Sequence, residues 1–119
     1  TLSERMRAAG AGIGGFFTPT SAGTLLGNNK ETREIEGKLH VLETPLKGDV
    51  ALIKAHAGDR WGNLTYNKSA RNFGPTMAMA ADLTIAEVKT IEELGELSPE
   101  HIITPGIFVD RVIKLMEEE

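Results

Sequence analysis

The sequence predicts an α/β fold, with an open, mostly parallel sheet, flanking helices and a β-hairpin insertion. Residues 50–56 (VALIKAH) are almost continuously apolar, which is typical of a strand covered on both faces. Pro75 opens a predicted helix that runs to Ala81, and residues 83–88 (LTIAEV) predict the next strand. Strand, helix and strand in this order favour parallel pairing through a crossover connection.

The segment before residue 50 predicts the hairpin. Gly37 and Lys38 separate residues 32–36 from residues 39–43, two runs with β-branched or apolar positions. The other predicted elements are a helix at 2–9 with Ser3 as N-cap and Gly10 as its stop, a strand at 13–17, a turn at 59–63, a strand at 64–66, a capped helical turn at 98–101, and a strand or helix at 107–115. With no internal repeat or obvious linker, we expect residues 1–119 to form a single domain.

Composition excludes several classes of protein. A net charge of −4 and an aromatic content of 5%, without a basic run, argue against nucleic-acid binding. Cysteine is absent, which excludes disulfides, thiolate metal sites and a cysteine nucleophile, and suits a cytoplasmic location. No apolar run approaches the roughly 20 residues of a membrane span, and no signal peptide is evident. The chain starts at Thr1 without an initiator Met, which leaves a fragment or a processed product open.

Residues 10–15 match the spacing G-x-G-x-x-G of dinucleotide-binding proteins. That site needs a strand before the glycines and a helix after them, whereas here a helix precedes and residues 16–19 (FFTP) follow. We therefore expect close backbone packing rather than a nucleotide. His40, His56 and His101 lie on separate predicted elements without ligand spacing, so no metal site is expected.

Two segments combine glycines and small hydroxyl residues with bulky apolar anchors, namely residues 12–24 and 59–75. Backbone N–H groups in such loops can stay free to donate to a ligand. Arg71 and Asn72 add a cation and an amide just before the predicted helix, which could meet a carboxylate or a phosphate. Alternatively, Arg71 pairs with an acidic side chain and Asn72 caps the helix.

Five stretches together resemble the alpha subunits of class I coenzyme A transferases of the acetate/acetoacetate, butyrate and succinyl-CoA:3-oxoacid types. They are residues 5–24 (RMRAAGAGIGGFFTPTSAGT), 31–45 (ETREIEGKLHVLETP), 49–66, 69–73 (SARNF) and 102–110 (IITPGIFVD). The stretches follow one another at the spacing of that family and cover nearly the whole chain. The resemblance implies the C-terminal part of such a subunit, with a partial alpha-subunit fold.

The sequence departs from the family in several places. The half of the alpha subunit that carries a Gly-Gly-Phe segment is absent, and so is the Ser-Glu-Asn-Gly motif that holds the glutamate nucleophile of the beta subunit. Ser21 and Ala22 stand where a Gly-Val pair is common. Gly74 stands where an asparagine usually follows Phe73, which puts a ligand role for that corner in doubt.

The resemblance implies ping-pong transfer of coenzyme A between short-chain or 3-oxo carboxylic acids, with no cofactor besides the thioester substrate and with the nucleophile on the beta subunit. This chain then supplies scaffold and cleft wall, without a catalytic residue or a metal ligand. From the chemistry of the loops, the residues expected to face the cleft are Phe16, Phe17, Thr18, Thr20, Asn72 and Phe73.

The expected partners are the missing N-terminal half and the beta subunit, in a hetero-oligomer that binds neither nucleic acid nor membrane. Without that half, the strand at 50–56 is expected to lose its cover on one side. Two alternatives stay open. One is a free-standing binding or assembly module of this fold. The other is an isomerase or hydrolase on a related scaffold, which would need a catalytic histidine such as His56.

Overall fold

The computed structural model describes residues 1–67 and 73–116, and it divides the chain into two compact units. We call Thr1–Lys47 the N-terminal unit and Gly48–Glu119 the C-terminal unit, and describe each by itself. The single-domain interpretation stays a prediction. In chain order the helices and strands are α1 (Leu2–Ala11), β1 (Phe16–Thr18), β2 (Thr32–Ile35), β3 (Lys38–Glu43), β4 (Gly48–Asp59), β5 (Leu64–Thr65), α2 (Gly74–Ala80), β6 (Ala81–Glu92) and β7 (Arg111–Lys114).

The N-terminal unit is built on a three-stranded antiparallel sheet with the order β1-β3-β2. The predicted hairpin is confirmed as β2 and β3, with Ile35 paired to Lys38. Glu36 and Gly37 form the turn at φ angles of 51° and 78°. Two successive residues with positive φ are the mark of the type I′ turn, whose twist matches that of the strands it joins. Gly37 adopts this conformation without steric cost.

Helix α1 begins and ends at other residues than the sequence indicated. Thr1, not Ser3, is its N-cap, and neither end of the helix has a side-chain cap. Gly10 lies inside the helix, which stops at Gly12 in the left-handed conformation with φ of 73°. There the N–H groups of Gly12 and Ile13 donate to the carbonyls of Ala9 and Ala8, which satisfies the free end of the helix. As a consequence, the strand that was predicted at 13–17 is found at Phe16–Thr18, as β1.

The C-terminal unit contains a four-stranded sheet with the order β5-β4-β6-β7. Strand β4 runs parallel to β6 from the pair Gly48–Ala81 to the pair Asp59–Glu92. Strand β6 is parallel to β7, and the short β5 is antiparallel to β4. The predicted strand–helix–strand crossover is therefore confirmed. Both long strands extend beyond the apolar runs that predicted them.

The end of the described chain resolves the strand-or-helix alternative. Gly106–Phe108 is a single 3-10 turn, and β7 follows it. Asp110 joins this segment to β6 because its backbone N–H donates to the carbonyl of Thr84 and its carboxylate accepts from the N–H of Thr84 at 2.7 Å. The turn predicted at 98–101 is also a 3-10 turn, Pro99–His101, and the side chain of Ser98 forms no cap bond.

The core of the C-terminal unit lies on one face of this sheet. Helix α2, which begins one residue before the predicted Pro75, packs its buried Ala78 against small or branched side chains of β4 and β6. These include Ile53 and Val88, which are 5% and 1% exposed. Thr84 is fully buried and satisfies its hydroxyl by donating to the carbonyl of Ala78 at 3.0 Å.

The opposite face of the sheet is open. Val50 and Leu52 alternate along β4 with buried residues, yet are 52% and 71% exposed. The interpretation of residues 50–56 as a strand covered on both faces is therefore wrong for this structure. The exposure that was expected on one side of this strand is confirmed.

Candidate functional site

Strand β1 positions three of the residues predicted to face a cleft. Phe16, Phe17 and Thr18 are all half-buried, and they pair in register with Glu43, Leu42 and Val41 of β3. Successive side chains of a strand point to opposite faces, so Phe16 and Phe17 lie on different sides of the sheet. Only one of the two rings can therefore face a given ligand.

The guanidinium group of Arg33 lies over the aromatic ring of Phe17. The guanidinium carbon of Arg33 lies 4.7 Å from the ring centroid. Arg33 is on β2 and pairs with His40, which places it across β3 from Phe17. A cation at this distance is attracted by the electron-rich face of an aromatic ring, and the contact contributes about 0.5–1 kcal/mol at an exposed site. This contact stabilises the position of the Phe17 ring.

Hydroxyl groups shape the loop that follows β1. The Oγ1 of Thr18 accepts from the backbone N–H of Thr20 at 3.2 Å, a turn that leaves the Thr20 side chain exposed. Thr24 donates to the carbonyl of Ser21 from both its N–H and its hydroxyl, the latter at 2.7 Å. Local bonds of this kind hold an irregular segment without regular secondary structure.

Ser21, one of the departures from the family, is strained. Its φ is 67°, in the left-handed region that a non-glycine residue rarely adopts. Its Oγ is buried, and no hydrogen-bond partner for it exists among the described residues. Gly27 explains the tight geometry, because a Cβ added there would come within 2.4 Å of the carbonyl oxygen of Ser21. A glycine at residue 21 would adopt the same backbone without this strain.

Glu43 connects three parts of the N-terminal unit and was not singled out from the sequence. It is 4% exposed, and its carboxylate accepts from the ammonium of Lys30. The Nε of Arg5 lies 3.7 Å from the other oxygen and donates to the carbonyl of Thr44 at 2.7 Å. Helix α1, the loop after β1 and strand β3 are thereby joined at one buried charge. Because a strand-end glutamate in a sequence is usually solvated, no pattern signalled this contact.

The second predicted loop, residues 59–75, is described only in part. Asn72 lies outside the described residues, as do Ser69, Ala70 and Arg71. Phe73 is described and is 41% exposed. Its carbonyl accepts from Thr76 and Met77 at the start of α2, so its backbone serves the helix rather than a ligand.

The turn of this loop is ordered by its own side chains. The buried Asp59 accepts from the N–H groups of Trp61 and Asn63 and from the side-chain amide of Asn63, all at about 3 Å. The Oδ1 of Asn63 then accepts from the N–H of Gly106 at 2.8 Å. A Cβ on Gly106 would lie 2.1 Å from the carbonyl oxygen of Trp61, so only glycine fits there.

A groove of about 580 Å³ opens beside His56. Its lining residues include His56, Tyr66, Glu92, Glu96, Ser98 and His101. Burial raises the pKa of Tyr66, while the hydrogen bond between its hydroxyl and Thr104 at 2.7 Å opposes that rise.

Within residues 1–67 and 73–116, no three His, Cys, Asp or Glu side chains group closely enough to hold a metal ion. His56 and His101 thus share a groove, whereas His40 lies in the other unit.

The G-x-G-x-x-G spacing has no nucleotide-binding context. Gly10 lies within α1, Gly12 ends that helix, and strand β1 follows. The close backbone packing expected for this segment holds at Gly15, where a Cβ would lie 3.2 Å from the carbonyl oxygen of Glu43, and is wrong for Gly12 and Gly14, beside which the space is open. Neither α1 nor α2, the two α-helices of the described chain, is long and apolar enough to cross a membrane.

Comparison with known proteins decides the family. The model of the coenzyme A transferase family matches residues 1–115. The chain belongs to the coenzyme A transferase family. The A subunit of the 3-oxoadipate CoA-transferase of Pseudomonas putida is 70% identical over 112 residues, which cover 94% of this chain and 48% of that protein. The alpha subunit of the acetate CoA-transferase of Escherichia coli K12 is 50% identical over 119 residues, 100% of this chain and 54% of that protein.

The fold agrees with this assignment. The crystal structure of an acyl-CoA transferase from Escherichia coli O157:H7, solved as a thioester complex with CoA, superposes with a TM-score of 0.84 at 21% identity. The match covers 93% of this chain and 27% of that structure. The predicted α/β architecture of a partial coenzyme A transferase subunit is therefore confirmed. The chain spans about half the length of the relatives in this family that it matches in sequence.

Proposed function

We propose that this chain is a non-catalytic portion of the alpha subunit of a coenzyme A transferase. The complete enzyme moves coenzyme A between an acyl-CoA and a short-chain or 3-oxo carboxylic acid. The observation that carries this proposal is the match of residues 1–115 to the family model, together with 50–70% identity to two proteins named as subunits of such enzymes.

The mechanism follows from the family resemblance. A beta-subunit glutamate attacks the thioester carbonyl, the C–S bond breaks, and an acyl-glutamyl anhydride forms as the CoA thiolate leaves. The thiolate then attacks the glutamyl carbonyl, which releases the first carboxylate and forms an enzyme–CoA thioester. The second carboxylate then attacks the enzyme–CoA thioester, and the same two steps run in reverse. The second acid leaves as the new acyl-CoA, and the glutamate is free again. The thioester is a substrate, so the transfer needs no further cofactor.

Glu43 is not placed to act as the nucleophile. Glu43 is the buried glutamate of the described residues, and Lys30 and Arg5 already engage both of its oxygens. An attacking carboxylate needs a free oxygen directed at the substrate, within near-attack distance. Glu43 therefore serves the architecture of the N-terminal unit.

The proposed contribution of the chain to the cleft is the segment around β1. Phe16 or Phe17 supplies an apolar wall, and Thr18 and Thr20 supply hydroxyl groups. The exposed side chain of Thr20 is available to a ligand, since its backbone N–H alone is used by Thr18. Phe73 and Asn72 are the second proposed group.

The proposed partners are the half of the alpha subunit that this chain does not match and the beta subunit, in a hetero-oligomer of the cytoplasm. The names of the relatives support a partner polypeptide, because each relative is called one subunit of its enzyme. Among surface features, Leu25 and Leu26 are 87% and 77% exposed on one 3-10 turn, which is unusual for large apolar side chains outside an interface.

A second candidate function is a binding or assembly module of the same fold without transfer activity. It is favoured by the exposed apolar face of the four-stranded sheet. Such a chain would associate with partners through that face and catalyse nothing.

Coenzyme A exchange tests the two candidates. Transfer from acetoacetyl-CoA to labelled acetate is measured with the chain alone and with the chain reconstituted with a beta subunit plus the rest of the alpha subunit. The proposal expects no exchange by the chain alone and exchange by the assembly. Exchange by the chain alone would overturn the assignment to a non-catalytic portion, and an inactive assembly would favour the assembly module.

A further inference from the structure

The only tryptophan of the chain lies exposed on a well-ordered turn. Trp61 follows β4 directly and is 68% exposed. The turn is fixed from within, because the buried carboxylate of Asp59 accepts from the backbone N–H of Trp61 at 3.0 Å. The N–H of Gly62 donates to the carbonyl of Asp59, also at 3.0 Å. A large aromatic ring that is displayed in this way adds little to the core, and most of its surface is open to an external contact.

A second turn packs against the first and carries another exposed apolar side chain. The Oδ1 of Asn63 accepts from the N–H of Gly106 at 2.8 Å, and a Cβ on Gly106 would lie 2.1 Å from the carbonyl oxygen of Trp61. The two turns therefore touch through their backbones, with no room for a side chain between them. Ile107, the residue after Gly106, is 86% exposed. Trp61 and Ile107 thus belong to one small, firmly held surface.

Arg60 places a positive charge in the same turn, directly before Trp61. It is exposed, and within residues 1–67 and 73–116 it forms no ion pair. The adjacent carboxylate of Asp59 is already occupied by the N–H groups of Trp61 and Asn63. The guanidinium of Arg60 is therefore available to an anion from solution, and its planar fork of donors matches the oxygens of a phosphate.

We propose that this surface binds the nucleotide end of coenzyme A, with the adenine ring on Trp61 and Ile107 and a phosphate on Arg60. The proposal rests on the proposed function, which makes a coenzyme A thioester the substrate. Coenzyme A joins a pantetheine arm, which carries the reacting sulfur, to an adenosine with a diphosphate and a 3′-phosphate. Bases stack on aromatic side chains through their π-faces, and arginine binds phosphate. Since the nucleotide does not react, an exposed surface can hold it, and the binding energy contributes to positioning the thioester.

A nucleotide fits this surface better than a polypeptide partner does. A stable protein interface buries about 800 Å² on each side, which requires many side chains. Within residues 59–63 and 105–110, Trp61 and Ile107 are the exposed large apolar residues. One aromatic ring, one aliphatic side chain and one cation correspond to the two components of the ligand, a flat base and a phosphate.

Tryptophan fluorescence tests the site without any turnover, because Trp61 is the only fluorophore of its kind in the chain. The chain is titrated with coenzyme A, with adenosine 3′,5′-bisphosphate and with pantetheine, which lacks the nucleotide. Free N-acetyltryptophanamide corrects for absorption by adenine. We expect saturable quenching by the first two ligands and none by pantetheine. Arg60→Gln should weaken both affinities about tenfold, whereas Lys38→Gln, the same loss of charge at an exposed residue of β3, should leave them within about twofold.

Kinetics of the assembled enzyme provide the second measurement. Acetoacetyl-CoA is compared with acetoacetyl-pantetheine as the donor, in the parent and in Trp61→Ala. The variant should lower kcat/KM about tenfold for the CoA thioester and leave it within about twofold for the pantetheine thioester. An equal loss with both donors, or no loss with either, would overturn the proposal. A loss with both donors that additional beta subunit restores would assign Trp61 to a contact with that partner instead.

The two measurements separate this inference from the proposed function. Quenching by coenzyme A without exchange by the assembly would refute the transfer activity and leave the nucleotide site standing. Exchange by the assembly, with both donors affected equally by Trp61→Ala, would refute the site and support the activity.

Discussion

The ammonium of Lys30 donates to the buried carboxylate of Glu43, and this pair joins the loop after β1 to the end of β3. Lys30 is 34% exposed at its side chain, whereas that of Glu43 is 5% exposed. The carboxylate consequently depends on its two cations for compensation, since little water reaches it. Arg5 brings α1 to the same point. The stability of the N-terminal unit should therefore be sensitive to this one charge.

We expect Glu43→Gln to lower the free energy of unfolding by about 1–3 kcal/mol, because it leaves Lys30 and Arg5 without a charged partner while preserving shape. Urea unfolding followed by circular dichroism measures this change. Glu34→Gln, at an exposed residue of β2, is the matched control and should alter stability by less than about 0.5 kcal/mol. Equal effects of the two substitutions would contradict the role of Glu43.

Ser21→Gly should stabilise the protein by about 1 kcal/mol. The substitution relieves the left-handed backbone and removes a buried hydroxyl that lacks a partner among the described residues, which outweighs the entropy that glycine gains in the unfolded chain. Ala22→Gly is the control, because its φ is not positive. It should destabilise by about 0.5–1 kcal/mol. Thermal unfolding of both variants decides the matter, and a loss of stability in Ser21→Gly would count against the strain.

Gly106→Ala should lower the free energy of unfolding by about 3 kcal/mol or more, because the new methyl group would lie 2.1 Å from the carbonyl oxygen of Trp61. Backbone atoms cannot move aside as a flexible side chain can. Gly48→Ala is the control in the same unit, since the nearest atom there lies at 3.9 Å. Denaturant unfolding should show the first variant strongly destabilised and the second within about 0.5 kcal/mol of the parent. A tolerated Gly106→Ala would mean that the turn packs less closely.

We expect the free energy of unfolding to fall at high pH because the buried Tyr66 loses its proton. Burial raises the pKa of this phenol in the folded protein, so the folded state holds its proton more tightly than the unfolded state. The resulting stabilisation is complete below a pH of about 10, the ordinary value of tyrosine, and is lost as the pH rises through the higher folded value.

The test compares the parent with Tyr66→Phe by urea unfolding between about pH 8 and pH 11. Lysine titration affects both proteins alike, so the difference between them isolates the tyrosine, which is the only one in the chain. The parent should lose stability more steeply above about pH 10. Parallel curves for the two proteins would refute the assignment.

Thr20→Ala tests the proposed cleft in the assembled enzyme. If the exposed hydroxyl of Thr20 donates to the substrate, its loss should lower kcat/KM about fivefold to tenfold. Stability should not change, because the side chain is exposed and Thr18 bonds only the backbone of Thr20. Thr90→Ala, at an exposed residue of β6, is the matched control. An unaltered kcat/KM in Thr20→Ala would remove Thr20 from the cleft.

Elements with a strong local signal could be predicted from the sequence. The apolar runs at 50–56 and 83–88 identified β4 and β6, and Gly37 between two β-prone runs identified the hairpin turn. The predicted end of α1 was wrong because Gly10 and Gly12 are equally able to end a helix. Their local sequence does not reveal which of them adopts the left-handed conformation.

Features that depend on distant contacts could not be predicted. The burial of Glu43 arises from Arg5 and Lys30, which lie far from it along the chain. Ser21 takes positive φ because Gly27 and Thr24 fold the loop back upon it, although serine itself disfavours this conformation. The cleft residues of β1 remain predictions, since a site shared between polypeptides is determined by groups that a single chain does not contain.

The parallel pairing of β4 with β6 also has a consequence for how the protein forms. The hairpin of β2 and β3 closes over two residues, and such hairpins assemble in about 1–10 μs. The β4–β6 ladder forms only after the intervening segment with β5 and α2 has been brought round, which costs loop entropy before any contact compensates it. During synthesis the newly made strand β4 is therefore exposed and prone to aggregate until β6 emerges, which makes this stage the one at which a chaperone would matter most.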